Sequence, residues 1–407
     1  MERDVRVRKK VNRHMCAMQG GVVGCTGVIA AYAVILLQWK AFSATEIGIA
    51  TALSSVAGIF LQPLVAAFSN RHPGLSLKTI MAGLEAIGLA AAVVLYFVST
   101  PLVLVMALFI VSFVITASLN TFIGAFAMEF ENRGMPVNFG IARGIGSICY
   151  ALIGFGMGQL VEWLGPQSIL PAYVVVMLAT IVFTTRHITP EKAIPAPKQN
   201  QEEAPQARRM KTGELLRGRP ELLLFFLALF CISYNHTALD SYQVNVIQEL
   251  GGSTANYGTM MMIMGLCEIP SLFLCNRLMR RFGCGNMITL AMAVFLAKDI
   301  MLLAAGNVTL VYVAQICNLS TVGMYMPAMV YLINELVGAE SNVSAQAFFV
   351  GIGTGLGRVL GNLAGGALID AGGTHAMLIA NIGVIAIGIV LMRGFLAGIH
   401  RKGLAIR

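Results

Sequence analysis

The sequence predicts an all-α integral membrane protein: twelve transmembrane helices in two pseudo-symmetric six-helix bundles. Three observations lead there. Of 407 residues, 57% are hydrophobic and only 12% charged, whereas soluble domains carry about 25% charged residues; mean hydropathy is +0.77. The apolar residues fall in runs of about 20, the length that crosses the hydrocarbon of a bilayer. The net charge of +9 is gathered in a few cytoplasm-type clusters, which is a topology signal.

Taken in order, residues 1–15 form a basic tail carrying Arg3, Arg6, Arg8, Lys9 and Lys10. The first bundle, 16–185, holds spans expected near 16–38, 46–68, 78–98, 102–127, 140–162 and 168–184. Residues 186–219 are a polar loop between the halves, rich in Pro, Glu, Gln, Lys and Arg, too polar to build a core of its own. The second bundle, 220–397, repeats the pattern near 221–246, 255–276, 286–305, 309–333, 343–370 and 375–396, and 398–407 is a second basic tail. An even number of spans puts both termini on one side. Both tails and the middle loop are basic, so that side is the cytoplasm of a bacterial-type inner membrane. On the opposite side Lys40 is the one exception to loops free of lysine and arginine. The first span is long enough to serve as its own targeting signal, and no convincing cleavage site follows it.

Other function classes find little support. The basic residues mark loops rather than a nucleic-acid surface. The eight cysteines lie mostly within apolar spans, with neither a pairing pattern nor metal-ligand spacing. No phosphate-binding GKS or GKT loop, HExxH or GxSxG is present, so neither an enzyme nor a cofactor or metal site is expected. The Met260–Met262 run reads as packing.

Ionisable residues inside spans are costly, roughly 2.5–3.5 kcal/mol each on insertion scales, and mark functional sites by default. Here they are Glu85, Arg143, Asp240, Glu268, Lys298, Asp299 and Arg358, with Glu129 and Glu131 at the end of the fourth span. Their signs nearly balance, as expected of charges meeting around a wet chamber or, equally, of pairs that fasten helices. Arg143 stands among glycines in NFGIARGIGSICYALIGFGMG; its guanidinium offers five donors suited to hydroxyls or a carboxylate. Tyr150 lies two turns further on the same face, placed to stack on a flat ligand or simply to pack. Glu268, mid-span in GLCEIPSLF, suits a proton carrier or a structural partner of Lys298 or Arg358. Asp240 follows the polar stretch SYNHTAL, where His236 reads as a helix-to-helix hydrogen bond. Lys298 and Asp299 are adjacent and point to different faces; Lys298 is the one expected at the cavity. Asp370 is expected at the outer surface.

The halves are related by a weak internal repeat. Gly144 and Gly146 correspond to Gly355 and Gly357, and PLVAAFSNRHPGLSLK (63–78) to PSLFLCNRLMRRFGCGN (270–286). Six spans, a long basic loop and six more is the layout of the major facilitator class. Beyond layout, the chain resembles the lactose permease branch of that superfamily, the oligosaccharide–proton symporters. LQPLVAAFSNR (61–71) is similar to that branch's second-span ending, with Asn70 where an aspartate is usual. NFGIARGIGSICY (138–150) resembles its fifth-span motif, and ALDSYQVN (238–245) its seventh-span pattern. The resemblance places Arg143 on the sugar-site arginine, Tyr150 on the stacking tryptophan, and Asn120 and Glu131 on the fourth span and the loop after it. Asp240 falls on the second seventh-span acid, Lys298 on the ninth-span arginine and Arg358 on the eleventh-span lysine, which implies an Asp240–Arg358 interaction. It departs where the family's sugar-pairing glutamates fall on Ala127 and Gly265, with Glu129 and Glu268 nearby. The proton-relay His and Glu fall on Asn318 and Thr321.

The expected function is therefore alternating-access transport of a small polar solute, a sugar, glycoside or nucleoside, by proton-coupled symport as a monomer. Arg143, Tyr150, Asn120 and Asn318 are the expected substrate contacts. Glu268, Asp240, Lys298 and Arg358 are the expected coupling network. An organic-anion carrier or a drug–proton antiporter of the same fold are the alternatives. The fifth span lacks the proline that the antiporters carry.

Overall fold

A computed structural model describes residues 2–72, 74–135, 137–187 and 220–401. Most of the interhalf loop expected at 186–219 and the last residues of the C-terminal tail lie outside the described residues. The chain divides into two compact units. The first comprises residues 1–42 and 53–202, the second 43–52 and 203–407.

In the first unit, α1 (Glu2–Ile29) and α2 (Ala33–Trp39) form one span bent by 43°. The tail expected at 1–15 is thus the helical start of α1. Next come α3 (Ala44–Arg71), α4 (Leu77–Phe97), α5 (Leu102–Asn132), α6 (Phe139–Leu164) and α7 (Ile169–Arg186). Local chemistry sets the helix starts: Ser76 accepts the Thr79 N–H to open α4, and Asn138 accepts the Ile141 N–H to open α6, satisfying donors that a helix leaves unpaired. α1 packs on α5, α6 and α7, and α4 on α5 and α7. Lys40, anomalous in the sequence, has a local explanation. Its ammonium donates to the carbonyls of Val98 at 2.7 Å and Tyr96 at 3.3 Å and to Ser99 Oγ at 3.3 Å. It closes the carbonyl end of α4, where a cation is favourable.

The second unit contains α8 (Pro220–Glu249), α9 (Thr254–Phe282), α10 (Cys284–Leu303), α11 (Val308–Ala314), α12 (Val322–Gln346) and α13 (Gly355–Arg401). A capping box of Ser253 and Asn256 starts α9. α11 and α12 make one leg, interrupted by a 3₁₀ segment at Gln315–Ser320. A π segment at Ala347–Thr354 leads into α13. α13 is two spans in one: Gly372 and Gly373 leave helical geometry, Gly373 with φ +71°, a conformation that glycine adopts without strain. That fold falls between the expected spans 343–370 and 375–396. Among the described residues nine helices are long and apolar enough to cross a bilayer, and the bent α1–α2 pair is another. With the doubled α13 and the more polar α9, the described residues supply twelve membrane-length legs.

The closest packing in this unit is between α8 and α13. Gly357, Gly361 and Gly365 form a stripe at four-residue spacing that lets the two backbones touch. A Cβ at Gly361 would lie 2.5 Å from the Tyr234 carbonyl oxygen. The start of α3 also belongs here. Asp370 accepts the N–H groups of Ala44 at 3.1 Å and Thr45 at 2.7 Å, and the Tyr242 hydroxyl donates to the Asn362 carbonyl at 3.0 Å beside Gly48.

Candidate functional site

In the first unit the expected substrate contacts lie along α6 and its neighbours. Arg143 is exposed and Tyr150 half-buried. Between them Gly146 is buried against α1, where an added Cβ would meet Gln19 Cγ and Val23 Cγ2 at 3.1 Å. Tyr150 sits over Gly27 of the same helix. Gln19 Nε2 donates to Asn120 Oδ1 at 3.2 Å, and Asn120 Nδ2 donates to Thr26 Oγ1 at 3.4 Å. Asn120 is thus tied to the α1 face that packs against α6. Gln19 Oε1 is buried and has no hydrogen-bond partner, an acceptor left open next to the Arg143–Tyr150 stretch. Sequence reading passed over Gln19. A lone glutamine in a glycine-rich span gives no periodic signal.

The four expected coupling residues lie in the second unit, on α8, α9, α10 and α13. His236 on α8 has its ring centroid 5.8 Å from Phe295 of α10 and 6.5 Å from Tyr325 of α12. Asp240, Arg358 and Lys298 all act electrostatically on His236. Arg358, Asp240 and Glu268 act on the Tyr325 hydroxyl. Glu268 of α9 reaches this place because α9 and α12 touch at Gly323. A Cβ there would be 3.5 Å from Glu268 Cγ. Four charged residues, from α8, α9, α10 and α13, therefore lie within electrostatic range of His236, of Tyr325 or of both. Tyr325 was not singled out in the sequence, since a tyrosine in an apolar span reads as packing.

Lys298 is buried. Its Nζ donates to Asn318 Oδ1 at 3.2 Å. Asn318 in turn spends both amide protons on Gln315, on the carbonyl and Oε1 at 3.0 Å each. Thr321 Oγ1 adds a donor to Asn318 Oδ1 at 3.3 Å. As it stands, Asn318 holds the Lys298 ammonium rather than offering a free amide. The 3₁₀ segment makes this possible by bringing Gln315 and Asn318 onto one edge; such mid-span interruptions mark hinges.

Lys298 and Asp299 do diverge. Asp299 turns to α8, where the Asn235 amide donates to its Oδ2. Glu85, in the first unit, is fully buried with Thr184 Oγ1 donating to its Oε1 at 2.8 Å. Among the described residues no group of three or more His, Cys, Asp or Glu stands in metal-binding array.

Membrane-length legs in two units, with charged residues of four helices within electrostatic range of His236 or Tyr325, suit a solute carrier. The sequence pattern of the MFS_1 like family matches residues 22–380. The chain belongs to that family. It is therefore a major facilitator transporter, not an enzyme, and a multi-pass membrane protein that takes small-molecule substrates. It is 21% identical over 371 residues to an uncharacterised transporter, YwbF, of Bacillus subtilis, covering 89% of this chain and 88% of that one. It is 26% identical over 233 residues to the maltose permease of Geobacillus stearothermophilus, covering 57% of each chain. Among solved structures, the nucleoside transporter NupG superposes with a TM-score of 0.77 at 16% identity, over 98% of this chain and 99% of NupG. A bacterial homologue of the lysosomal transporter Spinster, inward-facing and unoccupied, superposes with a TM-score of 0.65 at 12% identity, over 96% and 98%. At those identities the structural likeness establishes the twelve-helix fold alone.

Proposed function

We propose that this transporter moves a small neutral polar solute, a sugar, glycoside or nucleoside, across a bacterial-type inner membrane by alternating access and proton symport. It does so as a monomer with both termini cytoplasmic. The observation that carries this reading is that Asp240, Lys298 and Arg358 lie within electrostatic range of His236, and Asp240, Glu268 and Arg358 within that of Tyr325. Charges are retained in a membrane interior where they bind something or exchange a proton. Glu268 is the proton carrier in this scheme, and Arg143, Tyr150 and Asn120 hold the solute, with Gln19 as an added acceptor. Asn318 enters as the residue that positions Lys298. Two of the similar proteins, a maltose permease and a nucleoside transporter, are named for hydroxyl-rich substrates, which supports this reading. Arg143, Lys298 and Arg358 favour one second reading, an organic-anion carrier.

Purified protein in proteoliposomes decides between them. A panel of sugars, nucleosides and carboxylates is offered with and without a protonophore. The proposal expects uptake of a neutral hydroxyl-rich solute that collapses with the proton gradient. Uptake of carboxylates alone would overturn it in favour of the anion carrier.

A further inference from the structure

Asp299, Asn235 and Asn381 share one small volume between α8, α10 and α13, and all three are fully buried. The Asn235 amide joins them: Nδ2 donates to Asp299 Oδ2 and, at 3.5 Å, to the Asn381 backbone carbonyl. Four further polar atoms in the cluster have no hydrogen-bond partner: Asp299 Oδ1, Asn235 Oδ1, and both Oδ1 and Nδ2 of Asn381. Buried polar groups are nearly always satisfied, so four orphans on three touching residues call for an occupant. Three of the four are oxygens: Asp299 Oδ1 and Asn235 Oδ1 each share a carbon with an atom tied into the cluster, and Asn381 is held to it through its backbone carbonyl. We propose that Asp299, Asn235 and Asn381 bind a dehydrated sodium ion within the second unit.

The donor set suits that ion. Carboxylate and amide oxygens are ligands of hard cations, and transporters of this architecture hold coupling ions near the bilayer midplane. A proton on Asp299 Oδ1 is donated to one acceptor at a time and leaves at least one of the two asparagine oxygens without a partner. Glu85 provides the contrast. It too has a buried oxygen without a partner, but Thr184 is its hydrogen-bonding neighbour and no cluster of orphan amides surrounds it. The nearest cation, Lys298, directs its Nζ to Asn318. Its field still weakens the site, as a releasable ion requires. The location ties the ion to the charged cluster. Asn235 precedes His236, and Asp299 follows Lys298, so filling the site fixes the two helices that carry those residues.

The inference goes beyond the transport reading and is tested without any solute. Purified full-length protein in detergent is titrated with sodium chloride against choline chloride and potassium chloride at constant ionic strength. Unfolding temperature and radioactive sodium binding are both recorded. Expected is saturable binding near one ion per chain, with a rise in unfolding temperature for sodium only. Asn381→Ala and Asp299→Asn should each weaken that affinity by about ten-fold or more, as loss of metal-site partners does. Absence of saturable sodium binding by the unaltered protein overturns the proposal, whatever the variants do. So does an equal response to potassium or choline, or sodium affinity unchanged in Asn381→Ala, the milder variant should Asp299→Asn fail to fold.

Discussion

Replacing Gly361 by alanine places a methyl carbon 2.5 Å from the Tyr234 carbonyl oxygen and 3.2 Å from its Cα. Ordinary contact begins near 3.4 Å, so α8 and α13 must part by nearly an ångström. The obstacle is helix backbone, which cannot swing aside as a side chain can. Gly357 faces the Phe230 carbonyl at 2.5 Å and Gly365 the Tyr242 ring at 2.8 Å, so the helices cannot part at one point alone. Overpacking of this kind costs about 1–3 kcal/mol, and a backbone obstacle puts Gly361→Ala at the upper end. Gly383 on the same element is the control, because an added Cβ meets nothing within 4 Å. Its change to alanine should gain about 0.5–1 kcal/mol from helix propensity. The assay is thermal unfolding in mild detergent with a thiol-reactive dye, which reports exposure of buried Cys231, Cys275 and Cys284. Gly361→Ala should unfold well below the unaltered protein, and Gly383→Ala at or above it. Equal unfolding temperatures for the two variants would refute the claim that α8 and α13 pack backbone to backbone.

Other expectations follow from the same geometry. Lys298→Met should leave Asn318 Oδ1 with Thr321 as its remaining donor and abolish solute accumulation; full accumulation in that variant would remove Lys298 from the coupling network. Asp370→Ala removes the acceptor for the first two N–H groups of α3 and should cost about 0.5–2 kcal/mol, the scale of a lost helix cap; unchanged thermal unfolding would contradict the capping role. Arg143→Lys keeps the charge but loses the planar fork, so the KM for the solute should rise at least about ten-fold while the protein stays folded; an unaltered KM would dismiss Arg143 as a solute contact. Gln19→Leu removes the open acceptor together with the donor to Asn120; it should weaken solute affinity and cost about 0.5–1.5 kcal/mol for the lost hydrogen bond, as measured by binding and thermal unfolding on one preparation, and an unchanged affinity would dismiss Gln19 as a solute contact.

The spans were legible because hydrophobic length is a property of single segments. The expected limits fall within a few residues of most helices, and the break at Gly372 and Gly373 lies in the gap left between the expected spans 343–370 and 375–396. Which polar residues meet was not legible. Asn235, Asp299 and Asn381 are separated by 64 and 146 residues along their hydrogen bonds, and nothing in periodicity reports that three helices turn those faces together. The 3₁₀ segment at Gln315–Ser320 was hidden for a related reason: its residues are apolar enough to extend a helix, and the break depends on tertiary packing. The start of α3 reads as an ordinary helix N-terminus. Its grouping with the second unit comes from Asp370, more than 300 residues away. Single charges, by contrast, announced themselves. Arg143, Glu268, Lys298 and Arg358 stand out in the sequence because a bilayer makes each of them expensive.

The most direct measurement is proton movement during solute uptake in proteoliposomes, with the unaltered protein beside Glu268→Gln. Adding a transported sugar or nucleoside should acidify the lumen in the first case. In the variant that signal should vanish while solute counterflow persists. Solute-driven proton uptake of the same size in Glu268→Gln would contradict the assignment of the proton to the charges gathered around His236 and Tyr325.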